Sequence, residues 1–282
     1  MNIAVVGLGL IGGSFCKAIK KYTDHRIFGI DTDETTLAMA LEQGAIHQAI
    51  EPKDLGEMDF TIVSLHPRQT IAFIKEHARQ FKPGSLVADT CGVKQSIVEA
   101  VTEPLAQQGV LFVGCHPMAG REFSGFAYSL DNLFDNASFI MTPPPETPAH
   151  IIEFFKYFAQ KLQFGKIVVS TPEEHDRVIA FTSQLAHVVS NAYIKSPSLE
   201  QEAGFSAGSF LDLTRVAKLN EDMWTDLFLM NRKALLFELD TIIEKLGEYR
   251  DAMEQDDGER LKQLLRDGRI RKEKSAANHR PQ

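Results

Sequence analysis

The chain has 282 residues, which at about 150 residues per domain favours two domains. Its hydrophobic fraction of 44% and charged fraction of 24% are those of an ordinary globular protein, and they exclude intrinsic disorder and a collagen-like repeat. With 38 acidic and 30 basic side chains, the net charge is −8, which argues against nucleic acid or an anionic membrane as the main partner.

The cysteines and the apolar runs indicate where such a protein would reside. The three cysteines, Cys16, Cys91 and Cys115, are odd in number and far apart, which excludes a disulfide scaffold or a zinc ribbon and fits a reducing compartment. No run approaches the roughly 18 apolar residues of a membrane span, and glycines interrupt the apolar start, which lacks the positive region of a signal peptide. We therefore expect a cytoplasmic protein.

The first half of the chain alternates strand and helix patterns. Short β-branched or aromatic runs predict strands at residues 3–6, 26–30, 60–65, 86–89, 111–114, 139–142 and 166–170. Amphipathic stretches between them predict helices at residues 34–43, 70–80, 94–106 and 149–162. Alternation with nearly continuous apolar strands predicts an α/β fold with a doubly wound, mostly parallel sheet.

From Thr171 onward the pattern is helical. Thr171-Pro172-Glu173-Glu174 combines a capping residue, proline and acids in the order that begins a helix. Apolar residues then recur at helical spacing, and one helical layer could not bury such faces, so we expect a homodimer with intertwined helical domains. We predict a nucleotide-binding domain over 1–171, an all-α dimerisation domain over 172–256 and a charged tail over 257–282, solvated and partly frayed.

A glycine motif follows the first predicted strand and begins a helix. In Gly7-Leu8-Gly9-Leu10-Ile11-Gly12, the first glycine permits a tight turn, the second lets the backbone approach a pyrophosphate, and the third allows close helix packing. The amides of the helix start, including those of Leu10 and Ile11, would bind the anion. This context predicts the Rossmann dinucleotide-binding fold.

Asp31 ends the second predicted strand, 24 positions after Gly7. An acid at this point accepts hydrogen bonds from the ribose hydroxyls and would repel a 2′-phosphate. No arginine follows closely to offset that charge. We therefore expect the cofactor to be NAD rather than NADP.

The predicted strand at 111–114 leads into Cys115-His116-Pro117-Met118-Ala119-Gly120-Arg121-Glu122. Ligands in open α/β sheets bind beyond the carboxyl ends of strands, which places His116 where the reaction would occur. Histidine is the side chain best suited to take a proton near neutral pH. His116 is the candidate general base.

Together these motifs resemble prephenate dehydrogenase. The resemblance rests on the glycine loop, on residues 116–122, on Ser183-Gln-Leu-Ala-His187, and on Gly208-Ser-Phe-Leu-Asp212-Leu-Thr-Arg215 with Trp224, in order over about residues 1–250. It implies oxidative decarboxylation of prephenate to 4-hydroxyphenylpyruvate and carbon dioxide with reduction of NAD(P), in tyrosine biosynthesis. It implies that His116 accepts the proton of the 4-hydroxyl group, and that aromatisation drives the loss of carbon dioxide without a metal.

The resemblance also implies the substrate-binding residues. Arg215 matches the arginine that binds a carboxylate, and its planar fork suits that task. His187 matches a second substrate-site histidine, and Arg121 stands where many relatives have Thr or Lys and could bind the side-chain carboxylate. The remaining matches around the pocket, some of them supplied by the other subunit, are Glu122, Gly208, Asp212 and Trp224. We expect any inhibition by L-tyrosine to act at or near this site, since the product resembles the substrate.

Spacing alone favours less specific interpretations of several residues. Arg215 could pair with Asp212 three residues earlier, His187 could be a core histidine, and Trp224 could belong to a core or an interface. One departure from the family pattern is Gly92, which replaces the usual serine of Asp-x-x-Ser-x-Lys and removes a hydroxyl hydrogen bond worth about 1 kcal/mol. Lys94 either steers the dianion or is solvated.

Three alternatives stay open at this point. Arogenate dehydrogenase would share these motifs, but its substrate carries an ammonium group where prephenate has a keto group. A cationic Arg121 would be less favourable for that ammonium group. A β-hydroxyacid dehydrogenase or imine reductase has a similar architecture but uses a lysine on the helical domain. A non-catalytic NAD-binding regulator would use the basic tail, where residues 266–282 carry six basic and two acidic side chains, as its contact surface.

Overall fold

A computed structural model describes residues 1–277 of the chain. The chain divides into two compact units, Met1–Arg232 and Lys233–Gln282. The helices between the end of the sheet and Arg232 are therefore part of the same compact unit as the sheet. The division into functional domains at residue 171 stays a prediction.

The first unit contains all the strands among the described residues. They are β1 (Asn2–Val6), β2 (Arg26–Ile30), β3 (Gln48–Ala49), β4 (Phe60–Val63), β5 (Leu86–Asp89), β6 (Leu111–Pro117), β7 (Ser138–Thr142) and β8 (Lys166–Val169). The two-residue β3 carries too little pattern to be predicted from the sequence.

The helices follow the predicted alternation and then the predicted helical region. They are α1 (Leu10–Tyr22), α2 (Glu34–Glu42), α3 (Pro67–His77), α4 (Gln95–Ala106), α5 (Ala149–Lys161), α6 (Pro172–Ile179), α7 (Leu185–Tyr193), α8 (Gly208–Thr214), α9 (Glu221–Met230), α10 (Arg232–Glu254) and α11 (Gly258–Ala277). Within residues 1–277, no helix is both long and apolar enough to cross a lipid bilayer.

The sheet has the order β3-β2-β1-β4-β5-β6-β7-β8. The strands from β3 to β6 are mutually parallel, whereas β7 is antiparallel to β6 and parallel to β8. The strand order reverses between β1 and β4, and this crevice is where doubly wound sheets bind ligands. The predicted α/β fold with a doubly wound, mostly parallel sheet and a helical C-terminal region is confirmed.

Two apolar clusters cover the two faces of the sheet. Alternate residues of β1 separate between them, Ile3 and Val5 into one cluster and Ala4 and Val6 into the other, as the two-residue period of a strand requires. Leu227 of α9 belongs to the second cluster, which holds this late helix against the sheet layer.

Strand β6 is longer than the sequence indicates. The predicted strand stops at Gly114, but the ladder with β7 continues, pairing His116 with Ile140 and Pro117 with Phe139. The candidate histidine therefore lies inside a strand rather than in the loop beyond it. The antiparallel partner extends the strand past the glycine and fixes the backbone of His116.

The second unit contains most of α10 and all of α11. The segment expected to be partly frayed forms a helix as far as Ala277, with exposed pairs such as Arg269–Glu273 at 2.6 Å one turn apart. Its side chains are mostly exposed, as expected for a solvated segment. The last part of the predicted tail, residues 278–282, lies outside the described residues.

Candidate active site

The glycine loop joins β1 to α1 and contacts the end of β4. Gly7 has a φ of +81°, and a Cβ there would lie 2.6 Å from the carbonyl oxygen of Ser64. A Cβ on Gly12 would lie 1.9 Å from the carbonyl oxygen of Gly7. The loop can therefore close only with glycine at both positions.

Gly9 differs from these two, because no protein atom lies within 4 Å of the position of a Cβ. It caps α1 without any side-chain hydrogen bond to the helix start. The first amides of a helix, here those beginning with Leu10 and Ile11, have no partner within the helix and favour an anion. This open, uncapped end of α1 fits the pyrophosphate of a dinucleotide.

Asp31 holds the loop in place from the end of β2. Its Oδ2 accepts a hydrogen bond from the amide of Leu8 at 2.7 Å, and its Oδ1 accepts one from the amide of Asp33 at 3.0 Å. Each carboxylate oxygen can accept more than one hydrogen bond, so capacity remains for ribose hydroxyls. The predicted cofactor residues thus form one continuous cradle.

His116 begins a chain of hydrogen-bonding side chains. Its Nδ1 lies 2.9 Å from Nε2 of His175, and Nδ1 of His175 lies 2.7 Å from Oδ1 of Asp176. Asp176 also caps α4, since its carboxylate accepts hydrogen bonds from the amides of Lys94 at 2.7 Å and Gln95 at 2.9 Å. The chain therefore runs from strand β6 through α6 to the start of α4.

The surroundings of both imidazoles favour the neutral form. Burial lowers the pKa of His116 well below its usual 6.5, and the nearby His175 and Lys94 lower it further. Burial also lowers the pKa of His175, although the hydrogen bond to Asp176 opposes this effect. A neutral His116 has a lone pair with which to accept a proton.

A buried ion pair lies beneath His116. Lys94 and Asp89 are both fully buried, and the ammonium group donates to the Asp89 carboxylate and, at 2.7 Å, to the carbonyl oxygen of Cys115. Asp89 also accepts from the amides of Cys91 at 2.9 Å and Cys115 at 3.2 Å. The expectation that Lys94 is solvated is wrong, because the side chain joins the ends of β5 and β6 from inside.

Gly92 lies opposite the ring of His116. A Cβ on this glycine would lie 3.8 Å from Nε2 of His116 and 3.5 Å from Leu227, so there is space for the side chain that the family pattern usually has here. Cys91 does not occupy this space, because its thiol contacts Oγ1 of Thr70 at 3.3 Å and the carbonyl oxygen of Leu65 at 3.4 Å. Burial raises the pKa of Cys91 to about 12, so the thiol is a poor nucleophile.

His187 and Trp224 form a second part of the site. A single π-helical turn, Ala180–Gln184, separates α6 from α7, and π turns are frequent at functional sites. Nδ1 of His187 donates to the carbonyl oxygen of Ser183 at 2.8 Å, and the ring lies 4.0 Å from that of Trp224. Burial lowers the pKa of His187, the hydrogen bond to Ser183 opposes this effect, and the positive charge of Arg215 lowers the pKa further.

Arg215 pairs with Glu122 rather than with Asp212. Its Nη1 lies 3.9 Å from Oε1 of Glu122, and both side chains are about two-thirds exposed, 67% and 65%. An exposed pair at this distance contributes little to stability. The guanidinium group is therefore available to bind an anionic ligand.

The other predicted residues, Arg121, Gly208 and Asp212, are less closely connected to His116. Arg121 donates to the carbonyl oxygen of Tyr128 at 3.4 Å, and its guanidinium lies 5.7 Å from the ring centre of Phe123. Gly208 begins α8, and Asp212 is exposed on that helix. Among residues 1–277, neither of these two contacts the His116 chain through a hydrogen bond or an ion pair.

His175 and Asp176 are the site residues that the sequence reasoning missed. The segment around them is polar and resembles an exposed helix start. The sequence contained one signal, because His175 and Asp176 stand four residues before the apolar Ile179 and Ala180 and so share a helix face with them. All four residues are buried. Helical spacing thus placed two polar side chains on the buried face of α6.

A nucleotide cradle at the carboxyl edge of a parallel sheet, together with a partly buried, neutral imidazole, defines an oxidoreductase of the dehydrogenase class. Comparison with known proteins gives the family. The nucleotide-binding domain of prephenate dehydrogenase matches residues 15–178, and its dimerization domain matches residues 171–267. The prephenate dehydrogenase of Bacillus subtilis (strain 168) is 33% identical over 92% of this chain and 72% of its own length. The chain belongs to the prephenate dehydrogenase family.

Solved structures agree with this assignment. Prephenate dehydrogenase from A. aeolicus, in complex with hydroxyphenyl propionate and NAD+, matches 97% of this chain and 98% of its own with 28% identity and a TM-score of 0.87. Synechocystis arogenate dehydrogenase matches 98% and 100% with 26% identity and a TM-score of 0.82. Enzymes named for two different substrates thus share this fold.

The neutral state of His116 predicts an acid-sensitive stability. In the unfolded chain His116 takes a proton near its usual pKa, whereas the desolvated ring of the folded chain stays neutral, so acid favours the unfolded chain below about pH 6.5. The free energy of unfolding should fall by about 1 kcal/mol for this residue between roughly pH 7.5 and 5.5. Urea unfolding at both pH values measures it. His116→Asn should reduce the pH dependence and the exposed His150→Asn should not; equal slopes for all three proteins would contradict the assignment.

Proposed function

We propose that the protein is an NAD-dependent prephenate dehydrogenase, which converts prephenate to 4-hydroxyphenylpyruvate and carbon dioxide with formation of NADH. The observation that carries the proposal is the partly buried, neutral His116 at the same sheet edge as the glycine cradle. Ser64 connects the two, because its carbonyl oxygen packs against Gly7 and its hydroxyl accepts from Thr90, two residues before Gly92. The reaction belongs to tyrosine biosynthesis.

The cofactor cradle and His116 have separate tasks in this proposal. Gly7, Gly9, Gly12 and the amides of Leu10 and Ile11 would hold the NAD pyrophosphate, and Asp31 the adenosine ribose. Bound NAD supplies an acceptor for the hydride from the ring carbon that bears the hydroxyl group. His116 takes the proton of that hydroxyl group on its unprotonated Nε2. Loss of the ring carboxylate as carbon dioxide then completes an aromatic ring, which provides the driving force.

The substrate is a dianion and requires cationic groups. Arg215, which forms a weak contact with Glu122, would bind one carboxylate group of the substrate. Arg121 would be the second cation. His187 and Trp224 form the wall beside Arg215. Glu122, Gly208 and Asp212 complete the pocket, together with residues of a second subunit. L-tyrosine would compete for this same pocket.

Arogenate is the alternative substrate, and the likeness to Synechocystis arogenate dehydrogenase supports it. Arogenate carries an ammonium group where prephenate carries a keto group. A cationic Arg121 beside the side-chain position would repel that ammonium group, which favours prephenate. A non-catalytic nucleotide-binding role would leave the neutral His116 without a function.

Replacement of His116 by Asn tests the enzymatic proposal. Loss of the general base should lower turnover by about a hundredfold to ten-thousandfold, while the affinity for NAD stays within about twofold. NADH absorbance measures turnover with prephenate and, separately, with arogenate. His150→Asn, an exposed substitution on α5, is the control. Wild-type protein that forms no NADH from either substrate would refute the proposal, and activity with arogenate alone would select the alternative.

Asp31→Asn tests the preference for NAD. The amide oxygen can still accept from Leu8, so the loop is retained while the negative charge is lost. Activity with NAD should fall about tenfold to a hundredfold, and the preference for NAD over NADP should shrink. The kcat/KM values with both cofactors measure this. Asp33→Asn, which removes an equal charge two residues away, should change neither; an unaltered cofactor preference in Asp31→Asn would count against the assignment.

We also propose that the protein is a homodimer. The dimerization-domain match supports it, and so do the large apolar side chains on α10 that are more than half exposed, namely Leu236, Phe237, Ile243, Leu246 and Met253. Light scattering should give twice the 31.5 kDa chain mass over a wide concentration range. Phe237→Glu should lower that mass. A wild-type monomer at every concentration would refute the proposal.

A further inference from the structure

We propose that His175 and Asp176 are positioning residues that fix the tautomer of His116, so that its Nε2 faces the substrate without a proton. This inference rests on the proposed function for its catalytic consequence. Its structural content, the protonation state of each ring nitrogen, can be measured without any substrate. It concerns two buried residues that the reaction does not otherwise use.

The chain of hydrogen bonds has a defined direction because it ends on an acceptor. An ionised carboxylate can only accept hydrogen bonds. Asp176 already accepts from the amides of Lys94 and Gln95, and its Oδ1 lies 2.7 Å from Nδ1 of His175. His175 must therefore carry its proton on Nδ1 and donate it to Asp176.

That requirement passes to His116. A neutral imidazole with a proton on Nδ1 has a lone pair on Nε2. Nε2 of His175 therefore accepts, and the donor 2.9 Å away is Nδ1 of His116. Since His116 is also held neutral by burial, its own Nε2 is left as an unprotonated acceptor.

Nε2 of His116 lies beside Gly92, which has no side chain to meet it. Nε2 of His116 is one of the ring atoms nearest to the missing Cβ of Gly92, at 3.8 Å. Among residues 1–277, no protein group forms a hydrogen bond with this nitrogen, whereas Nδ1 has its partner in His175. The only hydrogen bond that orients the ring therefore lies on the side away from Gly92.

The rest of the surroundings keeps this chain rigid. Nδ2 of Asn231 donates to the carbonyl oxygen of Asp176 at 2.8 Å and to Oε1 of Gln184 at 2.8 Å, which fixes the backbone of α6. The titratable and charged groups that face the two rings are Asp176, Lys94 and Asp89. When His116 accepts the substrate proton on Nε2, both of its nitrogens become donors, and His175 can still accept from Nδ1.

The tautomer can be read directly from the nitrogen chemical shifts of the imidazoles. In the full-length protein labelled with 15N-histidine, the His116 signals are assigned by their absence in His116→Asn. At about pH 7.5 we expect a protonated Nδ1 and an unprotonated Nε2. A wild-type His116 protonated on Nε2 would overturn the proposal, whether or not any variant folds and whether or not prephenate is the substrate.

Substitution of Asp176 tests the origin of the tautomer. In Asp176→Leu, which is similar in size, no acceptor remains for the proton on Nδ1 of His175, so the proton of His116 is no longer confined to Nδ1 and Nε2 can carry it. Turnover should fall about a hundredfold to ten-thousandfold, the range known for carboxylates that orient a catalytic histidine, while NAD affinity is retained.

Two controls separate positioning from support of the fold. Glu173→Gln removes an exposed charge from the first turn of α6, and it should alter neither the tautomer nor turnover. Asn231→Ala removes a buried contact with the same helix without touching either ring, and it should lower stability but keep the tautomer. If Asn231→Ala changes the tautomer as well, or if Asp176→Leu leaves it unchanged, the positioning role is refuted.

Discussion

One buried carboxylate, that of Asp176, holds together the parts of the molecule on which the candidate site depends. It lies after the sheet, at the start of the helical region, yet it caps α4 and binds the ring of His175. The partial positive charge at a helix N-terminus stabilises a carboxylate there, which offsets the cost of removing it from water. Without Asp176, the buried amides at the start of α4 would lose their acceptors, at a cost of about 1–3 kcal/mol each.

A buried ion pair, formed by Asp89 and Lys94, lies next to the same histidine. Asp89 and Lys94 hold the ends of β5 and β6 together, and breaking such a pair by removal of one partner typically costs about 3–5 kcal/mol. The pair positions Cys115, the residue before His116, while the ammonium charge disfavours protonation of the imidazole. Desolvation at this end of the sheet thus makes the ion pair costly to accommodate and keeps His116 neutral.

The parts of the site that depend on local chain geometry could be predicted from the sequence. The glycine loop and Asp31 belong to one strand-turn-helix unit followed by one strand, so their spacing alone placed them correctly in the fold. The burial of Lys94, the extension of β6 past Gly114 and the role of α6 depend on partners that are remote in sequence, namely Asp89, β7 and the start of α4. Periodicity predicts which face of a helix or strand is buried, but it does not predict which polar partner a buried side chain on that face will contact.

Gly92 explains why the orientation of the His116 ring depends on the hydrogen bond at Nδ1. The family pattern usually has a serine here, whose hydroxyl group would lie beside Nε2 of His116, and this chain offers no substitute among the neighbouring residues. Cys91 faces Thr70 and Leu65, and the hydroxyl of Thr90 donates to Ser64 at 3.2 Å. With no hydrogen bond from this side, the orientation of the ring must come from His175 through Nδ1. The glycine leaves Nε2 without a hydrogen-bond partner, so the bond from Nδ1 to the buried His175–Asp176 pair is the only hydrogen bond of the ring among the described residues.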